Sequence, residues 1–367
     1  MKKLSALLLG TCVAAVSHET LTTTVLFDRE IVRILDKHCV MCHVENGPAF
    51  PLVTYEQTWL EKRPIRADVI ARHMPPWAAV SGYGQFANEN SLTLRETQFI
   101  VSWVEGLGPR NAGTVFTNTA AQDAPRPKEV QAHTDFGTWQ LGEPQLKHQL
   151  PASTIEPRQP DGIKRTVVDL RLTSDRRLRA LEFLPSDRRV VRAAFFTVQE
   201  TGQWIGSWTP WYGFMSLPKG TAYRLPAGAH IVAELHYRGA PERVVESGTI
   251  GLFFADQPSP DLVSDLVLDA KTAVSPQKFR SEIWLAADLY IAALRPELER
   301  GVRSLEVSAR KPDGSTEVLL FAKDIRADWP TPYVLKAPVA LSRGTVLVVT
   351  AYSGTARVTF STYRERK

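Results

Sequence analysis

The stretch DKHCVMCHVENG (36–47) decides how the first third of the chain is read, because it holds two of the three cysteines. Three chemistries use such a pair: zinc binding, a small redox disulfide, and covalent haem. Zinc on Cys39, Cys42 and His43 wants a fourth ligand, and structural zinc usually draws on a second ligand pair. The sequence has no second CxxC and no HxxxH. A redox disulfide has no use for His43. Cys39-Val40-Met41-Cys42-His43 is instead the attachment signature of c-type haem, with two thioethers and an adjacent imidazole for iron. One covalent haem c, held by Cys39 and Cys42 with His43 on the iron, is the expected cofactor; copper is not expected.

Helical punctuation surrounds the motif. In LFDREIVRILDKHC (26–39), Phe27, Ile31, Ile34 and Leu35 recur at helical spacing. Thr54 to Gln57 and Thr93 to Glu96 are capping boxes. PIRADVIARH (64–73) reads as a third helix, and Ile100, Trp103, Val104 and Leu107 form a stripe ended by Gly108 and Pro109. The spacing predicts an all-α domain over 24–112. Its sixth iron ligand should come from ARHMPPW (71–77), where two prolines stiffen the chain after Met74. His73 is the rival ligand. Met41 lies within the attachment loop and cannot reach the far face, and His38 reads as a surface residue at a helix end.

These residues carry a family resemblance. CxxCH, F-P-L-V-T-Y (50–55), M-P-P-W (74–77), G-Y-G-Q-F (82–86) and W-V-E-G-L-G-P (103–109) together resemble the class I cytochrome c domain that precedes copper type II, ascorbate-dependent monooxygenase-like domains in bacterial secreted proteins. The resemblance implies a single haem with His43 and Met74 as axial ligands.

Residues 113–135 are rich in Thr, Ala and Pro and read as a linker. Short apolar runs follow, among them VVDLRL, AHIVAELHY, TIGLFFA and TVLVVTAY, divided by turn signals such as Pro312-Asp313-Gly314. They predict an all-β antiparallel sandwich in two jelly-roll-like halves, 136–258 and 259–367. This region resembles peptidylglycine-hydroxylase-like domains more distantly, through WQLGEP (139–144), LPKGTAYRLPAGAHIVAELHYRG (217–239) and SLEVSARKPDGSTEVLLFAK (304–323). That resemblance implies two copper sites. His236 matches one ligand, but Arg192, Ala193 and Ala194 stand where a His-His pair belongs, and Glu297 and Glu299 stand where an H-x-H pair belongs. No histidine or methionine follows His236. His236 with His230 is the one remaining candidate for a second metal. The aromatic run TGQWIGSWTPWYGF (201–214) reads as packing at an interface, with a binding patch as the alternative.

The opening run MKKLSALLLGTCVAAVSHET (1–20) has two lysines, an apolar stretch too short to span a bilayer, and small residues. Residues 1–17 are expected to be a secretory signal, placing the protein in the periplasm or outside the cell. Membrane association is expected only if Cys12 is lipidated, since no later segment is long and apolar enough to cross a bilayer. A formal net charge of +5, with its arginines scattered among apolar residues, gives no nucleic-acid footprint. The multidomain chain therefore reads as an exported electron carrier with a redox partner protein, and its sandwich as a docking or positioning body. The alternatives are an oxygenase with unusual ligands and a haem-based sensor.

Overall fold

A computed structural model of the chain describes residues 23–111, 137–255 and 261–364. The signal-like opening with Cys12, and the linker 113–135, lie outside the described residues.

The helices are real but short. A π-turn over Phe27–Ile31 leads into α1 (Val32–His38), followed by α2 (Tyr55–Leu60), α3 (Lys62–Ile70) and α4 (Leu94–Glu105). Both capping boxes form: the N–H of Gln57 donates to Thr54 Oγ1 at 3.2 Å, and that of Glu96 to Thr93 Oγ1 at 3.1 Å. The apolar stripes meet in a small core of Phe27, Ile31, Leu35, Ile100 and Trp103. Trp103 Nε1 donates to the carbonyl of Pro109 at 2.9 Å and closes the turn after α4 onto that core.

The rest is β-structure, built as two jelly rolls. The first comprises β1 (Leu146–Gln149), β2 (Gly162–Asp169), β3 (Arg176–Leu184), β4 (Val191–Val198), β5 (Trp204–Trp208), β6 (Thr221–Leu225), β7 (His230–Tyr237) and β8 (Thr249–Phe254). Its sheets run β1-β8-β3-β6 and β2-β7-β4-β5. The second comprises β9 (Ser264–Ala270), β10 (Lys278–Trp284), β11 (Leu289–Leu298), β12 (Ser304–Arg310), β13 (Thr316–Lys323), β14 (Tyr333–Leu341), β15 (Val346–Tyr352) and β16 (Ala356–Tyr363). Its sheets, β9-β16-β11-β14 and β10-β15-β12-β13, repeat the same order. Alternation sets the faces. In β7, Ile231, Ala233, Leu235 and Tyr237 point into the core, and His230, Glu234 and His236 point out.

The expectation of an all-α domain standing ahead of the sheets is overturned. No described helix exceeds 12 residues, and the segment between α3 and α4 is part of the second jelly roll. Ala79 pairs with Ala322 on β13 and Phe86 with Leu335 on β14, each the edge strand of its sheet. The N–H of Val80 donates to Phe321 O at 2.8 Å and that of Ala87 to Val334 O at 2.7 Å. Trp77 and Phe86 enter the core beside Tyr333, with ring centroids 5.2–5.8 Å apart. Buried Asn88 donates to Pro332 O and accepts from the N–H of Val334. The physical reason is that the short helical core leaves Trp77 and Phe86 without enough apolar surface to bury against, whereas the open side of the second roll offers it.

Candidate functional site

Cys39 directly follows α1, and both cysteines are free thiols. The N–H groups of Cys42 and His43 donate to Cys39 O at 3.0 and 2.9 Å, so the motif is one tight turn. His43 Nδ1 donates to the carbonyl of Phe50 at 2.8 Å, and the Phe50 ring stands edge-on to the imidazole at 4.8 Å. With Nδ1 committed as donor, Nε2 keeps its lone pair, the arrangement that orients a ligating histidine. Burial lowers the pKa of His43, against the opposing pull of the Phe50 carbonyl and Asp68, and so favours the neutral form. Burial first, then Cys42 and Glu96, push the Cys39 thiol up to about 12. Burial raises Cys42 to about 11, although Arg188 and Arg238 pull it down. Thiols held protonated in this way are poor self-activated nucleophiles.

His38 is 6% exposed, not the surface residue its place at a helix end predicted. Its ring nitrogens lie 3.1 Å from Asn90 Oδ1 and 3.3 Å from Glu96 Oε1. Burial opposes ionisation of Glu96, but the N–H and hydroxyl of Thr93 and the Lys37 ammonium bring its pKa down to about 2. One carboxylate thus caps α4 and anchors the end of α1 that carries the motif.

Met74 follows α3 at a turn in which Asp68 O accepts from the N–H of both His73 and Met74, at 2.8 and 3.4 Å. The Asp68 carboxylate works against burial at His43, pulling its pKa back up. His73 Nδ1 lies 3.3 Å from Asp68 Oδ1, an engagement that Met74 does not share.

The two histidines of β7 do not meet. Six residues apart on one strand, they stand about 20 Å from each other. His230 Nδ1 lies 2.8 Å from Glu200 Oε1, and His236 Nε2 lies 3.0 Å from Glu234 Oε1. Glu297 lies 3.5 Å from the guanidinium of Arg295, and Glu299 accepts from the backbone and hydroxyl of Thr355. Among the described residues, no three His, Cys, Asp or Glu side chains converge on a metal position.

His236 instead lines a cleft of about 590 Å³ between the two rolls, walled by Arg192, Phe195, Glu234, Arg295 and Trp329. A hydrogen bond with His236 outweighs the cost of burial and, with Arg295 and Arg165, holds Glu234 at about 2. Arg192 bonds Asp328 across the rolls at 2.7 Å. Arg72, Pro76 and Trp77 form part of the same wall, so the chain leaves Met74 directly into the cleft. On the other side of the attachment loop a void of about 120 Å³ separates Val40 and Met41 from Arg188, Trp208 and Trp211. It is smaller than the roughly 300 Å³ of a small ligand pocket. Trp211 packs tilted against Trp329 at 6.2 Å and donates to Asn88 O at 3.1 Å.

Sequence reasoning missed Arg188 and Arg238, the sandwich arginines whose charge acts on Cys42, and the role of Glu96. Only Glu96 had a signal, its place in the capping box. Nothing local marks an arginine 146 or 196 residues from Cys42 as its neighbour.

No family model matches the chain, and no curated protein is similar to it; the resemblance to the monooxygenase-linked cytochrome family is therefore withdrawn. Among solved structures, the chain is similar to the major capsid protein P2 of bacteriophage PM2 at 9% identity and a TM-score of 0.26, over 59% of this chain and 98% of that one. PNGF-II gives 11% identity and a TM-score of 0.27, over 60% and 65%. The tandem CBM22 domain of Paenibacillus barcinonensis Xyn10C gives 9% and 0.16, over 60% and 98%. The jelly-roll assignment rests on the strand order and not on these likenesses.

Proposed function

We propose that the chain carries one haem c, attached through Cys39 and Cys42 with His43 and Met74 as axial ligands, and moves single electrons between partner proteins outside the cytoplasm. The carrying observation is the His43 Nδ1–Phe50 O bond beside two free cysteines, which leaves one imidazole nitrogen and two thiols on a single turn. A haem bound there supplies a one-electron Fe(III)/Fe(II) couple. The chain's own part is to fix the His43 ring, to hold the two half-buried thiols on one turn, and to anchor the Met74 segment to the end of α3 through Asp68 O. Thioether ligation favours a positive potential. Residues 23–111 also expose Phe50, Trp59, Leu60, Ile70, Tyr83, Leu94 and Leu107, seven of the fifteen large exposed hydrophobics in under a third of the described residues. Such a concentration fits apolar surface meant to be covered.

The test is expression with c-type haem maturation, denaturing gel electrophoresis with haem staining, and a pyridine haemochrome spectrum. One haem that stays with the denatured chain, and is lost when Cys39 and Cys42 are both changed to Ser, is the expected result. A chain matured beside a working control yet free of covalent haem sinks the proposal.

A further inference from the structure

We infer that the haem site is completed by the first jelly roll, whose Arg188 and Arg238 raise the reduction potential of the iron; this rests on the proposed haem and names two residues that tune it. Arg188 stands in the turn before β4 and lines the small void shared with Val40 and Met41 of the attachment loop. Its Nη2 donates to Pro210 O, within the same roll, at 2.6 Å, which holds the guanidinium in the wall of that void. Arg238 follows β7, and its Nη1 donates to the carbonyl of Pro48, five residues beyond His43. Two cations 50 residues apart in sequence, at the same end of the paired strands β4 and β7 (the Arg238 N–H donates to Val190 O at 2.8 Å), thus stand against the attachment loop, one across the small void from Val40 and Met41 and one on Pro48. Asp36 lies across the void from Arg188, and Asp161 and Arg192 act on Arg238.

Ferric haem carries one more positive charge than ferrous haem, so a fixed cation near by favours the reduced form. Asp36 and Asp161 weaken that field without reversing what happens on substitution, because removal of either arginine leaves the local charge more negative. Partial burial limits screening by salt.

The experiment is a spectroelectrochemical titration of the full-length haem-loaded protein and of Arg188→Gln, Arg238→Gln and Arg238→Lys. Each Gln substitution is expected to shift the redox equilibrium towards the ferric form by about tenfold, equivalent to about 59 mV for one electron. Arg238→Lys keeps the charge and should stay close to the parent. Midpoints unmoved in the Gln variants, or an equal fall in Arg238→Lys and Arg238→Gln, overturn the inference. Should Arg188→Gln fail to fold, the Arg238 pair decides alone. Absence of a haem couple in the parent chain removes the proposed function itself, a different outcome from a normal couple that ignores the arginines.

Discussion

Asp265 on β9 shows what a single side chain contributes where the two rolls meet. Its Oδ2 accepts from the backbone N–H of Trp204, at the start of β5, at 2.7 Å. Its Oδ1 is buried with no hydrogen-bond partner among the described residues. Burial raises the pKa to about 6, although the Trp204 N–H and Arg295 oppose it. An unfolded aspartate titrates near 3.9, so the folded state binds the proton more tightly. Its contribution to stability is therefore greatest below about pH 4 and falls as pH rises through about 6. Asp265→Asn retains an oxygen for the Trp204 N–H and removes the buried charge. It should raise the unfolding free energy by about 2 kcal/mol at about pH 8 and by little at about pH 4, read from guanidinium denaturation at both. An equal gain at both pH values contradicts the assignment. None of this was legible beforehand, because burial of Asp265 depends on a strand about 60 residues earlier. Cys39, Cys42 and His43 could be singled out as a candidate site because they fall within five consecutive residues, which the fold gathers into one turn.

Elements followed the same rule of distance. Both capping boxes formed as read, since a cap is settled within one turn, and Ile100, Trp103 and Val104 of the expected stripe are buried on α4; Leu107 is not part of it, because the helix ends at Glu105 and Leu107 is exposed beyond it. The segment from Trp77 to Asn88 was misassigned, because its partners stand about 245 residues downstream, as Asn88 and Pro332 do. Locally it is a coil rich in glycine and aromatics. In the fold it clips the open edges of β13 and β14 together. Trp77 is 7% exposed and touches Phe86 and Tyr333 edge-on, so Trp77→Ala removes a large side chain from the core. The expected cost is about 3–5 kcal/mol. Amide hydrogen exchange should show the loss in β13 and β14 before it reaches the first roll. If protection falls uniformly, or only in α3 and α4, the clip is not what holds those edges.

At the scale of the whole molecule, the strand pattern disclosed two sandwiches but not how three bodies become one. The alternation of β7 and its turn signals give an antiparallel sheet from sequence alone. The order β1-β8-β3-β6, with its repeat in β9-β16-β11-β14, joins strands roughly 100 residues apart that no local pattern pairs. The helical part, which looked detachable, ties the assembly: residues 77–88 complete the second roll, Pro48 receives Arg238 of the first, and Asn88 O receives Trp211. A chain beginning at residue 137 keeps every jelly-roll strand yet loses this tie. Its second roll then presents two unpaired edge strands and an open core, the arrangement that promotes edge-to-edge association. The truncated chain is therefore expected to show concentration-dependent aggregation, and a peptide spanning residues 72–90 added in trans should suppress it and restore exchange protection to the amides of Lys323, Val334 and Lys336, which donate to Ala78 O, Asn88 Oδ1 and Gln85 O. A truncated chain that stays monomeric and unfolds in the parent's single transition means that the rolls stand alone. The helical part is then a passenger on them, and the case for one continuous haem site shared with Arg188 and Arg238 weakens accordingly.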